Sequence, residues 1–136
     1  MGAESLWIVR GEIGISGWFA LNQLCAAVGD GAIALITVDG GGPRRIAKVG
    51  AIALAASTGT PLIAAGVRCQ PAIVQRGKWD RTRIPVPFAR VCFVIEKAIT
   101  LSVPSSKEAV EKDLSQLQKA LECVDALATS RSKKLT

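Results

Sequence analysis

Residues 37–50 read TVDGGGPRRIAKVG, and this stretch decides how the rest of the chain is interpreted. Three consecutive glycines allow a sharp turn and let backbone N–H groups approach a ligand more closely than residues with a Cβ would. A basic, glycine-rich loop that leads into a helix is a natural site for a phosphate or a carboxylate. The alternative is an ordinary strand-to-helix turn with solvated arginines. The candidate binding residues are Asp39, Gly40, Gly41, Gly42, Arg44 and Arg45.

Apolar runs flank this loop and predict the architecture. Residues 32–37 and 62–67 are continuously apolar, which is the pattern of strands covered on both faces. An apolar helical pattern over residues 47–57 lies between them and ends at the TGTP of residues 58–61. A strand, a helix and a strand in this order imply a right-handed crossover. The predicted fold class is therefore α/β, with a mostly parallel central sheet and flanking helices.

A second basic segment is expected at the same edge of that sheet. Residues 6–9 are predicted to form the first strand, and Arg10 and Gly11 follow it directly. A helix capped by Ser16 comes next and is predicted to stop at Gly29. Ligands of parallel sheets bind beyond the carboxyl ends of the strands. We therefore expect Arg10 and Gly11 to join the glycine-rich loop in one site.

The second half of the chain begins with a less regular stretch. Residues 70–88 contain KWDRTRIPVPF, whose two prolines argue against an interior strand, so an ordered loop is predicted. That loop either packs over the sheet edge or touches lipid with its apolar tip. Two strands near the sheet edge are predicted at residues 89–95 and 98–103. The last helix is expected to open at Ser105, because Ser105 and Glu108 are spaced as a capping box.

The last helix carries one apolar stripe at four- and three-residue spacing. Its members are Val110, Leu114, Leu117, Leu121, Val124 and Ala128. This stripe is expected to pack on the sheet; a partner helix is the alternative, although the stripe is too short to argue for a coiled coil. Residues 129–136 are predicted to be a disordered basic tail, which leaves residues 1–128 as a single α/β domain.

The composition limits the partners that can be expected. The chain has 136 residues, of which 49% are hydrophobic, and a formal net charge of +6. Three of these charges come from the last six residues, so the remaining excess is too small to argue for nucleic acid. An anionic lipid surface or a phosphorylated substrate suits this charge. The mean hydropathy of +0.33 indicates that apolar surface is either buried or covered by a membrane or a partner.

Cysteine usage and the lengths of the apolar runs give two further expectations. The cysteines, Cys25, Cys69, Cys92 and Cys123, are widely spaced in apolar surroundings, and the chain has no histidine. A zinc site is therefore not expected, and buried reduced thiols indicate a reducing compartment. No uninterrupted run reaches the roughly 18 apolar residues that a membrane-spanning helix needs.

Several ordered motifs resemble the lysophospholipid acyltransferase superfamily, in particular an uncharacterised bacterial subgroup related to the lauroyl acyltransferases of lipid A synthesis. That subgroup carries Thr-Pro-Asp-Gly-Pro-Arg-Gly-Pro, then basic residues, Lys-Pro-Gly and an apolar helix. Here the stretch is TVDGGGPRR followed by KVG, one residue shorter and without the arginine inside the glycine run. The similarity also includes WDRTRIPVPF and Val-Arg-Gly at residues 9–11, although the Ser-Ser-Arg that follows in the family is not preserved. It covers roughly residues 6–127.

The resemblance implies an acyltransferase-like fold, of which this chain would be the C-terminal two-thirds. It implies a phosphorylated lipid or lysophospholipid acceptor whose phosphate Arg10, Arg44 and Arg45 would hold, helped by the amides of the three glycines. No bound cofactor is expected; acyl-CoA or acyl carrier protein would be the donor if the full-length protein is active. A cytoplasmic location is implied, with peripheral binding to the inner face of the membrane as the further expectation.

The chain departs from the superfamily at the catalytic motif. That motif is a histidine, the general base, followed five positions later by an aspartate, and this chain contains no histidine. The chain is therefore interpreted either as part of a longer acyltransferase or as a truncated, inactive relative, and whether it is an enzyme stays open. The alternative function is a degenerate module that binds lipid, a membrane or a partner without catalysis. A third interpretation is an unstable fragment that associates through an exposed sheet edge.

Overall fold

The computed structural model describes residues 6, 8–9, 14–101 and 106–134. Three helices and one β-hairpin form the framework of this part of the chain. In chain order they are α1 (Ile15–Gly29), α2 (Gly50–Thr58), β1 (Ala65–Val74), β2 (Arg83–Ile95) and α3 (Lys107–Lys134). Helix α3 packs on both strands, and α2 contacts both α1 and α3.

The sheet is a two-stranded antiparallel hairpin, so the predicted mostly parallel central sheet is wrong. Ala65 pairs with Ile95 at one end, and Val74 pairs with Arg83 at the other. The strands are consecutive in the chain and are joined by residues 75–82 alone. A parallel pair needs a crossover of about a dozen residues or more, and this connection is too short to provide one.

The antiparallel ladder continues for one bridge beyond the strand ends. Leu62 and Ile99 exchange backbone hydrogen bonds of 3.0 and 2.7 Å. The strand predicted at residues 62–67 is therefore only partly realised, and it runs antiparallel to β2. Of the strand predicted at residues 98–103, the described residues form only this bridge.

The ordered loop predicted over residues 70–88 is also wrong, because both strands of the hairpin run through it. Pro85 lies within β2 opposite Ala72, and the register shifts between Gln70 and Ala72. Every strand of a two-stranded sheet has a free edge, so the missing N–H of a proline can face solvent there. The shift leaves Phe88 without a partner in the ladder, at a φ of 65° and fully exposed.

Two predicted strands have no partner strand within the described part of the chain. Residues 32–37 have no assigned secondary structure and lie outside the sheet, and residues 6, 8 and 9 form no strand either. Ile36 packs against the core, whereas Ile33 and Leu35 are 98% and 90% exposed. The expectation that residues 32–37 are covered on both faces is therefore wrong.

The helices predicted on either side of the glycine-rich loop are confirmed, with shifted starts. Helix α1 begins at Ile15, so Ser16 lies inside it and Gly14 holds the N-cap position. Helix α2 begins at Gly50, three residues later than predicted. It stops before Gly59, whose φ of 67° is the left-handed conformation that glycine adopts at least cost. No helix among the described residues is both long and apolar enough to cross a bilayer.

Helix α3 supplies much of the core, and the packing predicted for its apolar stripe is confirmed. Leu117, Val124 and Ala128 are almost completely buried, the first in a cluster with α2 and the other two against the hairpin. Gly66 of β1 makes the close contact with the helix possible. A Cβ at Gly66 would lie 2.5 Å from the backbone oxygen of Val124, so only glycine fits there without movement.

The two ends of α3 differ from the predictions. Ser106 acts as the N-cap, since its Oγ accepts a 3.2 Å hydrogen bond from the N–H of Ala109; Ser105 lies outside the described residues. The residue 129–136 tail was expected to be disordered, but α3 continues to Lys134. Ser132 is only 5% exposed, so this last part of the helix still packs against the protein.

The cysteine thiols are free, but they are not all buried as expected. Cys69 and Cys92 are buried in the hairpin, Cys25 is partly buried in α1, and Cys123 is exposed on α3. The expectation of buried thiols is therefore wrong for Cys123.

Candidate functional site

The glycine-rich loop is closed by its own hydrogen bonds. The carboxylate of Asp39 accepts a 2.9 Å hydrogen bond from the backbone N–H of Arg45, and the carbonyl of Asp39 accepts one of 2.8 Å from the N–H of Gly42. The Nζ of Lys48 donates to the carbonyl of Gly40. The N–H of Gly42, one of the three glycine amides that were expected to help bind an anion, is therefore used within the loop, as is the N–H of Arg45. Asp39 has a structural role here.

The tryptophan-containing turn of the hairpin packs directly on this loop. The ring of Trp79 lies so close to Gly42 that a Cβ there would be 3.3 Å from the ring atom Cε3. Arg44 extends its Nε to the carbonyl oxygen of Asp80 at 2.8 Å. Two motifs that the sequence separates by more than thirty residues are thus in contact. One nitrogen of the Arg44 guanidinium is already engaged by the backbone of the turn.

The turn itself is held by Asp80. The backbone N–H of Thr82 donates to its carboxylate at 3.2 Å, and the hydroxyl of Thr82 donates to the other carboxylate oxygen. The hydroxyl hydrogen bond is the main reason why the pKa of Asp80 is lowered below its ordinary value. These hydrogen bonds hold the turn together, and the carbonyl that Arg44 contacts belongs to it.

Helix α3 attaches to the loop from the other side. The Oε1 of Gln118 accepts a 2.9 Å hydrogen bond from the N–H of Ala47, and its Nε2 donates to the carbonyl of Arg45 at 3.0 Å. The same Nε2 lies 2.7 Å from an oxygen of Glu122. One amide side chain thereby fixes the backbone on both sides of Ile46.

Asp125 of α3 brings the loop and the sheet together. Its two oxygens accept from Arg45, at 2.5 Å, and from Arg68 of β1. Arg68 also donates from Nε to the hydroxyl of Thr129 at 2.9 Å. The side chain of Arg68 is only 15% exposed, whereas that of Arg45 is 57% exposed. One carboxylate therefore pairs with a partly buried and a solvent-facing guanidinium at the same time.

Arg45 and Arg68 pair with this carboxylate, and the charges of Arg44 and Arg83 also act on Arg68; we call these four residues the arginine cluster. The pKa of Arg68 is lowered from its ordinary value, chiefly because burial separates its charge from water. The carboxylate of Asp125 opposes this effect, and the positive charges of the three other arginines add to it. Arg83 is exposed and has no ion-pair partner among the described residues. The cluster thus has more positive than negative charge.

Two open grooves lie beside the arginine cluster. A groove of about 700 Å³ between the hairpin and the end of α3 is lined by the cations Arg83, Arg90 and Lys133 and by apolar groups that include Pro71 and Phe88. A second groove, of about 640 Å³, contains Arg45, Asp125 and Lys133 among its lining residues. Lys133 lines both grooves, and we call the two grooves together the basic surface.

The predicted site residues lie in different places in the structure. Arg45 lies in the second groove, whereas Arg44 contacts the carbonyl of Asp80 and the three glycines shape the loop. Arg10 and Gly11 lie outside the described residues, so their predicted convergence with the loop stays a prediction. Helix α2 begins only at Gly50, so the glycines do not sit at a helix N-terminus as expected.

Sequence reasoning missed the partners that complete the surface. Arg68 carries a charge inside an otherwise apolar strand, which is a signal for a paired side chain. Gln118, Asp125 and Thr129 are polar residues at seven- and four-residue spacing beside the apolar stripe of α3, so they share one side of the helix. That spacing could have identified them. Their partners could not be identified from the sequence, because they are about 60 to 80 residues away along the chain.

No group of three or more His, Cys, Asp or Glu side chains in the described part of the chain is arranged to hold a metal ion. Comparison of the sequence and the structure with protein-family models, with curated proteins and with solved structures finds no match. The function is therefore argued from the geometry alone.

Proposed function

We propose that this chain binds the phosphate group of an anionic lipid at the arginine cluster. The observation that carries the proposal is that Arg45 and Arg68 share the single carboxylate of Asp125, beside a groove that is also lined by Lys133 and Lys134. A second anion would relieve the repulsion among these cations. Phosphate suits the position because guanidinium groups bind its oxygens in a planar, bidentate geometry.

The groove beside the cluster supports a lipid rather than a free phosphate. Arg83 and Lys133 line it together with Pro71, Ala72 and Phe88. Phe88 is held fully exposed by the register shift of the hairpin. Charged and apolar groups side by side match an amphiphile, whose headgroup needs cations and whose chain needs apolar contacts. A free phosphate would gain nothing from the apolar side chains.

The proposal concerns binding alone. The chain has no histidine to act as general base, so no acyl transfer is assigned to these residues. The acyltransferase resemblance stays a prediction, together with the acyl donor that it implies. Attachment to the membrane surface, the expected peripheral location, would follow from the same lipid contact.

Co-sedimentation with vesicles tests the proposal. Phosphatidylcholine vesicles with phosphatidic acid should retain the protein, and vesicles of phosphatidylcholine alone should not. The double variant Arg45→Gln/Arg83→Gln removes two exposed members of the cluster. Each basic residue at an anionic membrane contributes about 1 kcal/mol, so the partition coefficient of the double variant should fall about 30-fold.

A matched control distinguishes binding at a specific site from general electrostatic attraction to the vesicle. The variant Arg76→Gln/Lys119→Gln removes the same number of charges at exposed positions on the hairpin turn and on α3, outside the cluster. It should lose clearly less binding than the cluster variant. Equal losses would mean that only net charge matters and would contradict the proposal. Release of the bound protein by glycerol phosphate would identify the headgroup as the ligand, whereas binding of inorganic phosphate without vesicle binding would limit the site to a free anion.

A further inference from the structure

Helix α1 lacks the charged surface that an exposed helix normally has. Its sequence, ISGWFALNQLCAAVG, contains no charged residue, and none of its residues is buried. Ile15 is 79% exposed, Trp18 62% and Phe19 59%. Its polar side chains are those of Ser16, Asn22 and Gln23 alone. A helix this apolar is normally packed against other structure. The contact of α1 with α2 covers only part of it.

The segment that follows α1, residues 32–37, alternates between exposed and partly buried side chains from Ile33 onward, as a strand with one open face does. Within the described part of the chain, no backbone group from Ile33 to Ile36 takes part in a hydrogen bond. Ile33 and Leu35 point away from the core and are almost fully exposed. Unpaired backbone groups with apolar side chains are the features of an edge strand that pairs with another chain.

We propose that residues 15–37 form the interface of a homodimer, in which residues 32–37 of two copies pair as antiparallel strands. A two-fold axis at Ala34 places Ile33 of each copy opposite Leu35 of the other. This register keeps both outward side chains on one face and both core-facing side chains on the other, as the two-residue period of strands requires. Strand pairing alone would leave the outward Ile33 and Leu35 exposed, so the proposed interface includes packing of the partner's α1 on this face. The inference does not rest on the arginine cluster.

The charge distribution favours a second copy as the occupant. The chain carries a net charge of +6, so two copies repel each other over most of their surfaces. Residues 15–37 contain one acidic residue, Asp30, and no basic residue. This is therefore a region where two copies can meet without opposing like charges. An anionic membrane is a poorer match, because a membrane-surface helix carries basic residues along one side and α1 has none.

The exposed area is sufficient for a stable dimer. Five large apolar side chains of the segment are more than half exposed: Ile15, Trp18, Phe19, Ile33 and Leu35. At roughly 100 Å² for an aliphatic and 150–200 Å² for an aromatic side chain, they offer about 500 Å² per copy. Homodimer interfaces are about 65% apolar, so the whole interface would bury about 1,500 Å². Stable interfaces bury about 1,200–2,000 Å².

Sedimentation velocity of the whole chain, without lipid, tests the inference. The protein should sediment as a species of twice its 14.2 kDa mass, and Ile33→Lys should weaken the dimer about 100-fold or more. Ile33 is 98% exposed, so this substitution removes nothing from the described core. The matched control is Val91→Lys, on the outer face of the hairpin at 59% exposure, which should leave the dimer intact.

Cysteine cross-linking tests the register. In a Cys123→Ser background, a mixture of Ile33→Cys and Leu35→Cys chains should form a disulfide between copies, because opposite residues have Cβ atoms about 5 Å apart. Chains with Ile33→Cys alone should cross-link poorly. A monomeric wild type, or a dimer that Ile33→Lys leaves unchanged, would overturn the inference. A dimer weakened by Val91→Lys and not by Ile33→Lys would assign the interface to the hairpin and would overturn it as well.

Discussion

The substitution Gly66→Ala should separate α3 from the hairpin. The added Cβ would lie 2.5 Å from the carbonyl oxygen of Val124 and 2.7 Å from its carbonyl carbon. Ordinary contacts of a Cβ begin near 3.4 Å, so the strand and the helix must move apart by about 0.9 Å. Both colliding atoms belong to the backbone of a helix whose Val124 side chain is 1% exposed, and a side-chain rotation cannot relieve the clash.

The loss of stability can be estimated from this movement. Gaps of about 0.5–1 Å forfeit a quarter to a half of the dispersion energy of the atoms involved, and overpacked cores lose about 1–3 kcal/mol. The lower entropy of the unfolded alanine chain returns about 0.4–1 kcal/mol. We expect the free energy of unfolding to fall by about 2 kcal/mol. With a slope of about 2 kcal/mol per molar urea, the unfolding midpoint should fall by about 1 M.

Gly77→Ala provides the matched control. A Cβ at Gly77 meets no atom within 4 Å, so this substitution should change the midpoint only slightly. Urea unfolding followed by circular dichroism measures both variants under the same conditions. If Gly66→Ala were as stable as Gly77→Ala, the close contact between β1 and α3 would not exist as described, and the reasoning on the packing of α3 would be refuted.

Three further predictions concern single side chains. Asp113→Leu should raise the free energy of unfolding, measured by urea titration, by about 1–3 kcal/mol. The reason is that Asp113 is 2% exposed and its Oδ2 has no hydrogen-bond partner among the described residues. A loss of stability would contradict this prediction. Ser106→Ala should lower the free energy of unfolding by about 0.5–2 kcal/mol, because the N-cap hydrogen bond to Ala109 is lost. Ser106→Asp should keep this stability, because aspartate also caps helices. Thr82→Val should raise the pKa of Asp80 towards its ordinary value in an NMR titration. Because the folded-state pKa of Asp80 is lowered, its contribution to stability is present above the ordinary carboxylate pKa and is lost as the pH falls through the folded-state value; an unchanged pKa in the variant would contradict the assigned cause.

In the candidate site, some features could be predicted from neighbouring residues, whereas others depend on residues that are distant in the chain. The glycine-rich loop with its two arginines was identifiable from residues 37–50, since turn formation and charge are properties of neighbouring residues. The interactions of the loop were not. The backbone N–H groups of Gly42 and Arg45 are used inside the loop, and Arg45 pairs with Asp125, which lies 80 residues further along the chain. Such pairings depend on how α3 crosses the hairpin.

The sequence by itself determined the three helices, because apolar spacing and glycine end signals act over a few residues. It also determined which face of α3 is buried, since the stripe from Val110 to Ala128 has only one way to turn towards a core. Only the tertiary structure decided the direction of strand pairing. An apolar run such as residues 32–37 has the same pattern whether it is buried between helices or left open to a partner. The hydrogen bonds and contacts that distinguish these cases come from residues remote in the chain.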